Sequence, residues 1–179
     1  MSVGNLRITY EVDASDVIVR VSEQWDRFAL DNAAPDVTAE AVLKRSIWDF
    51  VCDESTRHLY AHFMARARQG DLVQVPFRCD GPSLRRFLNM SLKGLDGGGV
   101  EFRTELIRTE PRPEQPLLKR ITSHDDRLIR MCSWCKRIMC DEAWVPVEQA
   151  VVRLHLYDQE KLPAITHGMC DDCYKRLSW

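Results

Sequence analysis

The sequence predicts an α+β fold, a five-stranded antiparallel sheet with helices on one face, followed by a small cysteine-rich module at the C-terminal end. Three observations predict it. Apolar and polar residues alternate in five short stretches, two near the start and three after residue 72. One stretch of clear helical spacing, about residues 55 to 69, lies between the two groups. Two C-x-x-C pairs, Cys132 with Cys135 and Cys170 with Cys173, stand within the last 48 residues.

The bulk composition narrows the class further. A chain of 179 residues suits one ordinary domain with a small appendage. Hydrophobic residues at 45% and charged residues at 29% describe a globular chain able to bury a core. A net charge of −2 gives no general attraction for nucleic acid or for an anionic membrane. No apolar run approaches the roughly 18 to 20 residues that cross a bilayer, and the N-terminus lacks the layout of a signal peptide. A cytoplasmic location is therefore expected. Thiols stay reduced there, and seven cysteines point to metal in preference to disulfides.

In chain order, Ile8, Tyr10 and Val12 alternate as in a half-buried strand, and Asp13 to Asp16 supply a turn into a second strand at Val17 to Val21. Short helical turns follow around Trp25 to Leu30 and Thr38 to Leu43, then an apolar knot from Ser46 to Val51. Asp53 to Ser55 offer capping oxygens for the central helix, which Gly70 closes in the left-handed region. Val73, Val75, Phe77 and Cys79 share one face of a third strand, and Asp80 with Gly81 forms a hairpin turn. Leu84 to Leu92 makes the fourth strand, and Val100, Phe102, Thr104 and Leu106 line the fifth. A sheet with alternating apolar sets needs a cover, so the helices fall on one face.

This order of elements resembles a PAS domain over residues 5–110. The phrases that carry the likeness are Ile47 to Val51 before an acidic turn, Arg68 to Gly70 at the helix end, Val75 to Arg78, and Asp80 with Gly81 leading into Leu84 to Phe87. The resemblance implies a sensing or docking module with a small cavity between sheet and central helix. His62, Phe77, Met90 and Phe102 are the pocket candidates, with ordinary core or surface roles as the alternative. The Asn-Cys-Arg-Phe-Leu phrase of flavin-binding relatives is absent, and His58 or His62 alone is a weak haem signal beside the solvated role usual for a helix histidine. Neither haem nor flavin is expected, and an unidentified small ligand stays open. Cys52 and Cys79 read as small buried hydrophobes.

Pro111, Pro113 and Pro116 mark a boundary, and residues 111–130 read as a linker with a short helix. Leu117, Ile121, His124 and Leu128 recur at spacings of four, three and four, which suits a helix capped at Ser123 or a brief dimerising seam. Residues 131–179 form the metal module. Two thiols three positions apart curl round one cation, and two such pairs supply the four soft ligands of tetrahedral zinc: Cys132, Cys135, Cys170 and Cys173. Four thiolates on Zn²⁺ leave excess negative charge, which makes the flanking Lys136, Arg137, Lys175 and Arg176 sensible partners, with simple solvation as the alternative. His167 is placed to hydrogen-bond near the site or to replace one sulfur, and Gly168 to take a positive φ in a tight turn. Trp144, Val147, Val151 and Leu154 have helical spacing and offer an apolar patch. Cys140 is a bystander.

The run from Cys132 through Trp144 to Cys173 is similar to a cysteine-rich module that follows sensor domains in bacterial signalling proteins. There the second hook usually reads Ser-His-Gly-x-Cys-Pro-x-Cys, and this chain carries Thr166 and Asp171 at the two differing places. The likeness implies a bacterial signalling context. A non-catalytic signalling protein acting through a protein partner, or through a second copy of itself, is the expected function. Zinc-dependent nucleic-acid binding and thiolate redox sensing are the alternatives, and Asp141, Glu142, Asp171 and Asp172 argue against phosphate contact. Catalytic zinc would need an open coordination position that four sulfurs do not leave.

Overall fold

The computed structural model describes residues 7–32, 34–51, 53–119 and 124–177. Its contacts divide the chain into two units, Met1–Pro76 with Leu88–Leu106, and Phe77–Phe87 with Ile107–Trp179. Among the described residues no helix is long and apolar enough to cross a membrane.

The first unit begins with β1 (Arg7–Val12) and β2 (Ile18–Val21), an antiparallel hairpin whose turn is held by the Asp13 carboxylate accepting from the amides of Ser15 and Val17. Two short helices follow, α1 (Trp25–Asp31) and α2 (Ala39–Val42), then the long helix α3 (Glu54–Arg68). The Asp53 side chain accepts from the Thr56 amide at 2.7 Å and caps α3, and Gly70 beyond it sits at φ 98°. The expected cap and stop are both in place.

Strands β3 (Val73–Arg78), β4 (Leu84–Gly94) and β5 (Val100–Pro111) complete a five-stranded sheet of order β2-β1-β5-β4-β3. The fold is therefore α+β with the expected strand number. Ile8 and Val12, Val73 and Val75, Leu88, Met90 and Leu92, and Val100 and Phe102 turn inward and are buried, as are Leu59, Phe63, Met64 and Ala67 of α3. The opposite face carries cross-strand ion pairs at registered positions, Arg7 with Glu105 at 2.9 Å and Arg20 with Glu11. Alternation thus sorts apolar from charged residues in these strands.

At Gly94 helix and sheet backbones approach closely, since a Cβ there would overlap the Ala67 carbonyl oxygen of α3. Backbone cannot yield as a side chain can. Gly94→Ala is expected to cost about 1–3 kcal/mol, read as a lower urea midpoint at unchanged slope.

The second unit carries β6 (His124–Cys132), β7 (Ile138–Cys140), β8 (Ala143–Val145), α4 (Val147–Arg153), β9 (Leu162–Gly168) and α5 (Asp171–Leu177). Its four-stranded sheet has the order β8-β7-β6-β9, with β9 parallel to β6. Asp141 and Glu142, both at positive φ, make the two-residue turn from β7 to β8. Ile129, Met131, Ile138, Val145, Val147, Ala150, Val151, Leu156 and Leu162 share one apolar cluster with Leu117 and Cys140.

Two expectations are corrected here. Among the described residues of 111–130 the expected helix does not form: Pro116–Leu118 is a single 3-10 turn and His124–Cys132 is a strand, while Ile121 and Ser123 lie outside the described residues. Pairing with β9 overrides a spacing that imitates a helix. Trp144, expected to lead a helix, stands on β8, because α4 starts only after Pro146. Arg112, Gln115 and Leu117, within the proline-rich stretch, are buried.

Candidate metal centre

Two parallel strands deliver the two hooks to one place. β6 ends at Cys132, and its partner β9 ends opposite it at Gly168. The Ser133 amide donates to the Gly168 carbonyl at 2.8 Å, tying one hook to the other. Lys136 takes φ 60° and donates its amide to the Cys132 carbonyl at 3.1 Å, which folds the first hook back so that Cys135 meets Cys132. In the second hook Cys170 stands just before α5 and Cys173 lies within its first turn, where Tyr174 donates its amide to the Cys170 carbonyl at 2.9 Å.

All four sulfurs lie within 4.8 Å of one another, and Cys135 Sγ is 3.6 Å from Cys170 Sγ. A tetrahedron with metal–sulfur bonds of about 2.3 Å has sulfurs about 3.8 Å apart. A disulfide would need about 2.05 Å. Cys132, Cys170 and Cys173 are buried and Cys135 is half-buried. Amides support the sulfurs from outside, Cys170 donating to Cys132 Sγ at 3.5 Å and Cys173 to Cys170 Sγ at 3.4 Å. The cluster fits a metal ion, and an all-sulfur set suits a borderline-soft cation such as zinc.

The thiols act on one another's protons. Hydrogen bonds from Cys135 and Cys173 hold the Cys132 thiol well below its usual range. The same contacts with Cys132 push Cys135 up to about 11 and raise Cys173 further. A cation bound by all four sulfurs must displace those protons, so metal retention weakens as pH falls. Titration of the loaded protein with a zinc indicator from neutral to acid pH should register one cooperative release; retention that does not change with pH would contradict thiolate ligation.

Around the sulfurs, Lys136 Nζ donates to the Ser133 carbonyl at 2.7 Å inside the first hook, and burial lowers its pKa. Lys175 is exposed, whereas Arg176 donates to Cys173 Sγ at 3.4 Å. Arg137 and Asp172 pair at 2.7 Å between the hooks. His167 is an exposed residue of β9, and among the described residues the group able to hold a metal ion there is the four cysteines. Gly168 does not take the positive φ expected of it; a Cβ there would overlap the Arg130 guanidinium, which reaches over the Trp144 ring at 5.9 Å. Cys140 belongs to the apolar cluster, and burial raises its thiol pKa. Sequence spacing alone did not single out Arg176 over Lys175, because α5 decides which of two neighbours turns toward the sulfur.

Of the pocket candidates, Phe102 is fully buried and stacks on Tyr10 at 4.4 Å, with Tyr60 at 6.0 Å on α3. Met90 is buried and its sulfur accepts from the Tyr60 hydroxyl at 3.7 Å. Burial pushes the Tyr60 hydroxyl pKa up to about 12. His62 is exposed on α3, and Phe77 is half-buried in the second unit. Cys79 is half-buried, and Cys52 lies outside the described residues.

No protein-family model matches this chain, and no curated protein matches it significantly.

Proposed function

We propose that the chain is a non-catalytic signalling protein of the bacterial cytoplasm, in which a PAS-like sensing or docking domain is joined to a structural four-cysteine zinc module that contacts a protein partner. The observation that carries this reading is the convergence of four thiols, from hooks 34 residues apart, within 4.8 Å. Four sulfurs fill the tetrahedron of zinc and leave no position for a reacting water, so the metal holds structure and the output is an interaction. The order of elements in the first unit, hairpin, short helices, long helix and three strands, supports the PAS-like half. In this reading the aromatic packing around Phe102 belongs to the sensing domain and neither haem nor flavin is bound.

Elemental analysis of the purified protein tests the metal half, with about one zinc per chain expected; a content near zero refutes it. Affinity capture from the native cell, with wild type and Cys170→Ser as paired baits, tests the output. A signalling partner held by the loaded protein and lost from the variant is the expected result. Equal capture by both baits would remove the module from partner binding.

A further inference from the structure

The second unit holds a shielded ionic clasp beside the first hook. Between β3 and β4 the chain turns tightly, with the Gly81 amide on the Leu84 carbonyl at 2.8 Å. The Asp80 carboxylate in this turn is 0% exposed and pairs with Arg78 and, at 3.2 Å, with Arg112. The Arg112 side chain, 1% exposed, also reaches Glu148 of α4 at 3.1 Å and the Gly81 carbonyl at 2.8 Å. Arg85 extends the chain of charges, pairing with Glu148 at 2.6 Å. Backbone bonds tie the same turn to the proline-rich stretch, Arg112 donating to Ser83 at 3.1 Å and Gln115 to Pro82 at 2.9 Å.

The clasp meets the hook at one backbone bond. The Arg78 amide donates at 2.8 Å to the carbonyl of Trp134, one of the two residues between the cysteines of the first hook. Trp134 is buried. Ligation of Cys132 and Cys135 pins the 132–136 loop from both sides. Once both sulfurs let go, the loop keeps its bonds to Gly168, Cys132 and Ser133 but loses the anchors at its two cysteines, so the Trp134 carbonyl is fixed less firmly against Arg78. Water then reaches charges whose pairing is strong only while they are shielded.

We propose that metal occupancy of the four thiols is read out at this turn: loading locks residues 79–84 and 112–118, and metal loss releases both segments together. The proposal rests on the metal reading above and adds its consequence, a local conformational change at a distance from the sulfurs. Residues 73–78 and 84–94 are the same strands β3 and β4 that run in the five-stranded sheet, so the released turn joins two strands of the sensing half by chain continuity alone.

Hydrogen–deuterium exchange on the full chain tests it in three states: zinc-loaded, stripped by a chelator, and reloaded. Peptides covering 77–87 and 112–119 are expected to exchange about tenfold faster on stripping and to recover with zinc, while peptides of α3 hold their protection. In fully loaded Asp80→Asn, the turn should exchange fast with the hooks still protected. Stripping that exposes the hooks and leaves 77–87 protected overturns the clasp while the zinc reading stands. Loss of protection in α3 as well shows global unfolding and also overturns it. Zinc content measured on the same samples separates the two ideas, because a chain that takes up no zinc overturns both.

Discussion

Serine in place of Cys170 is expected to abolish metal retention and to lower the melting temperature of the second unit by roughly 20 °C or more. Cys170 is buried, its sulfur is 3.6 Å from that of Cys135, and it accepts the Cys173 amide, so it joins the hooks as well as offering a ligand. The elements around it are small: β7 and β8 have three residues each and α4 has seven. Their apolar cluster is of a size that usually needs a metal or disulfide as well. Elemental analysis and calorimetry on the variant check the expectation, with Cys140→Ser as the control that keeps its metal. A Cys170→Ser protein with full zinc content and unchanged melting would show that Cys170 is not a ligand.

Arg112→Ala should destabilise the protein by about 3–5 kcal/mol, because it strands the shielded Asp80 with one partner in place of two. The accompanying Arg112→Met, Asp80→Asn double variant should recover part of that loss, since it removes both charges instead of one. Acid reads the same network through Glu148. Burial alone would raise that carboxyl, but hydrogen bonds from Arg85, its own amide and Arg112 outweigh it and hold the pKa below the usual range. A carboxyl lowered on folding contributes stability that is complete above its unfolded pKa, about 4.3, and is lost as pH falls through the lower folded value. Without Arg112 this contribution shrinks, so the gap between variant and wild type should narrow on acidification below that point. Denaturant titrations at neutral and acid pH measure it, and a gap that widens with acid would assign the cost to something other than the charges.

Much of the first unit could be read from residue order because its strands keep one buried face. Val73 and Val75, or Val100 and Phe102, alternate so regularly that only a sheet satisfies them, and Asp53 and Gly70 bracket α3 by side-chain chemistry that acts locally. The hooks were legible for a similar reason, since three-residue spacing is itself the geometry of a two-thiol bite. Strand β6 was not. Its polar run from His124 to Arg127 and a Leu128 that is 72% exposed hide any period, and what makes it a strand is a partner more than thirty residues later. Arg112 and Gln115 were equally opaque. Among prolines they read as solvated linker residues, yet Asp80, Glu148 and the Pro82 carbonyl, all distant in sequence, draw them inward.

The parallel pairing of β6 with β9 also sets the order of events during synthesis. A parallel neighbour cannot be supplied by a tight hairpin, so its loop must close late and at higher entropic cost than the β7–β8 turn. As the chain leaves the ribosome, the first hook is exposed as a bare two-thiol site until β9 and Cys170 to Cys173 have followed it out. Any ion caught early is held by half the sulfurs and exchanges freely. Only the arrival of the second hook commits the metal, which makes the nascent chain, in the interval before that hook emerges, the form most open to oxidants and to the wrong cation.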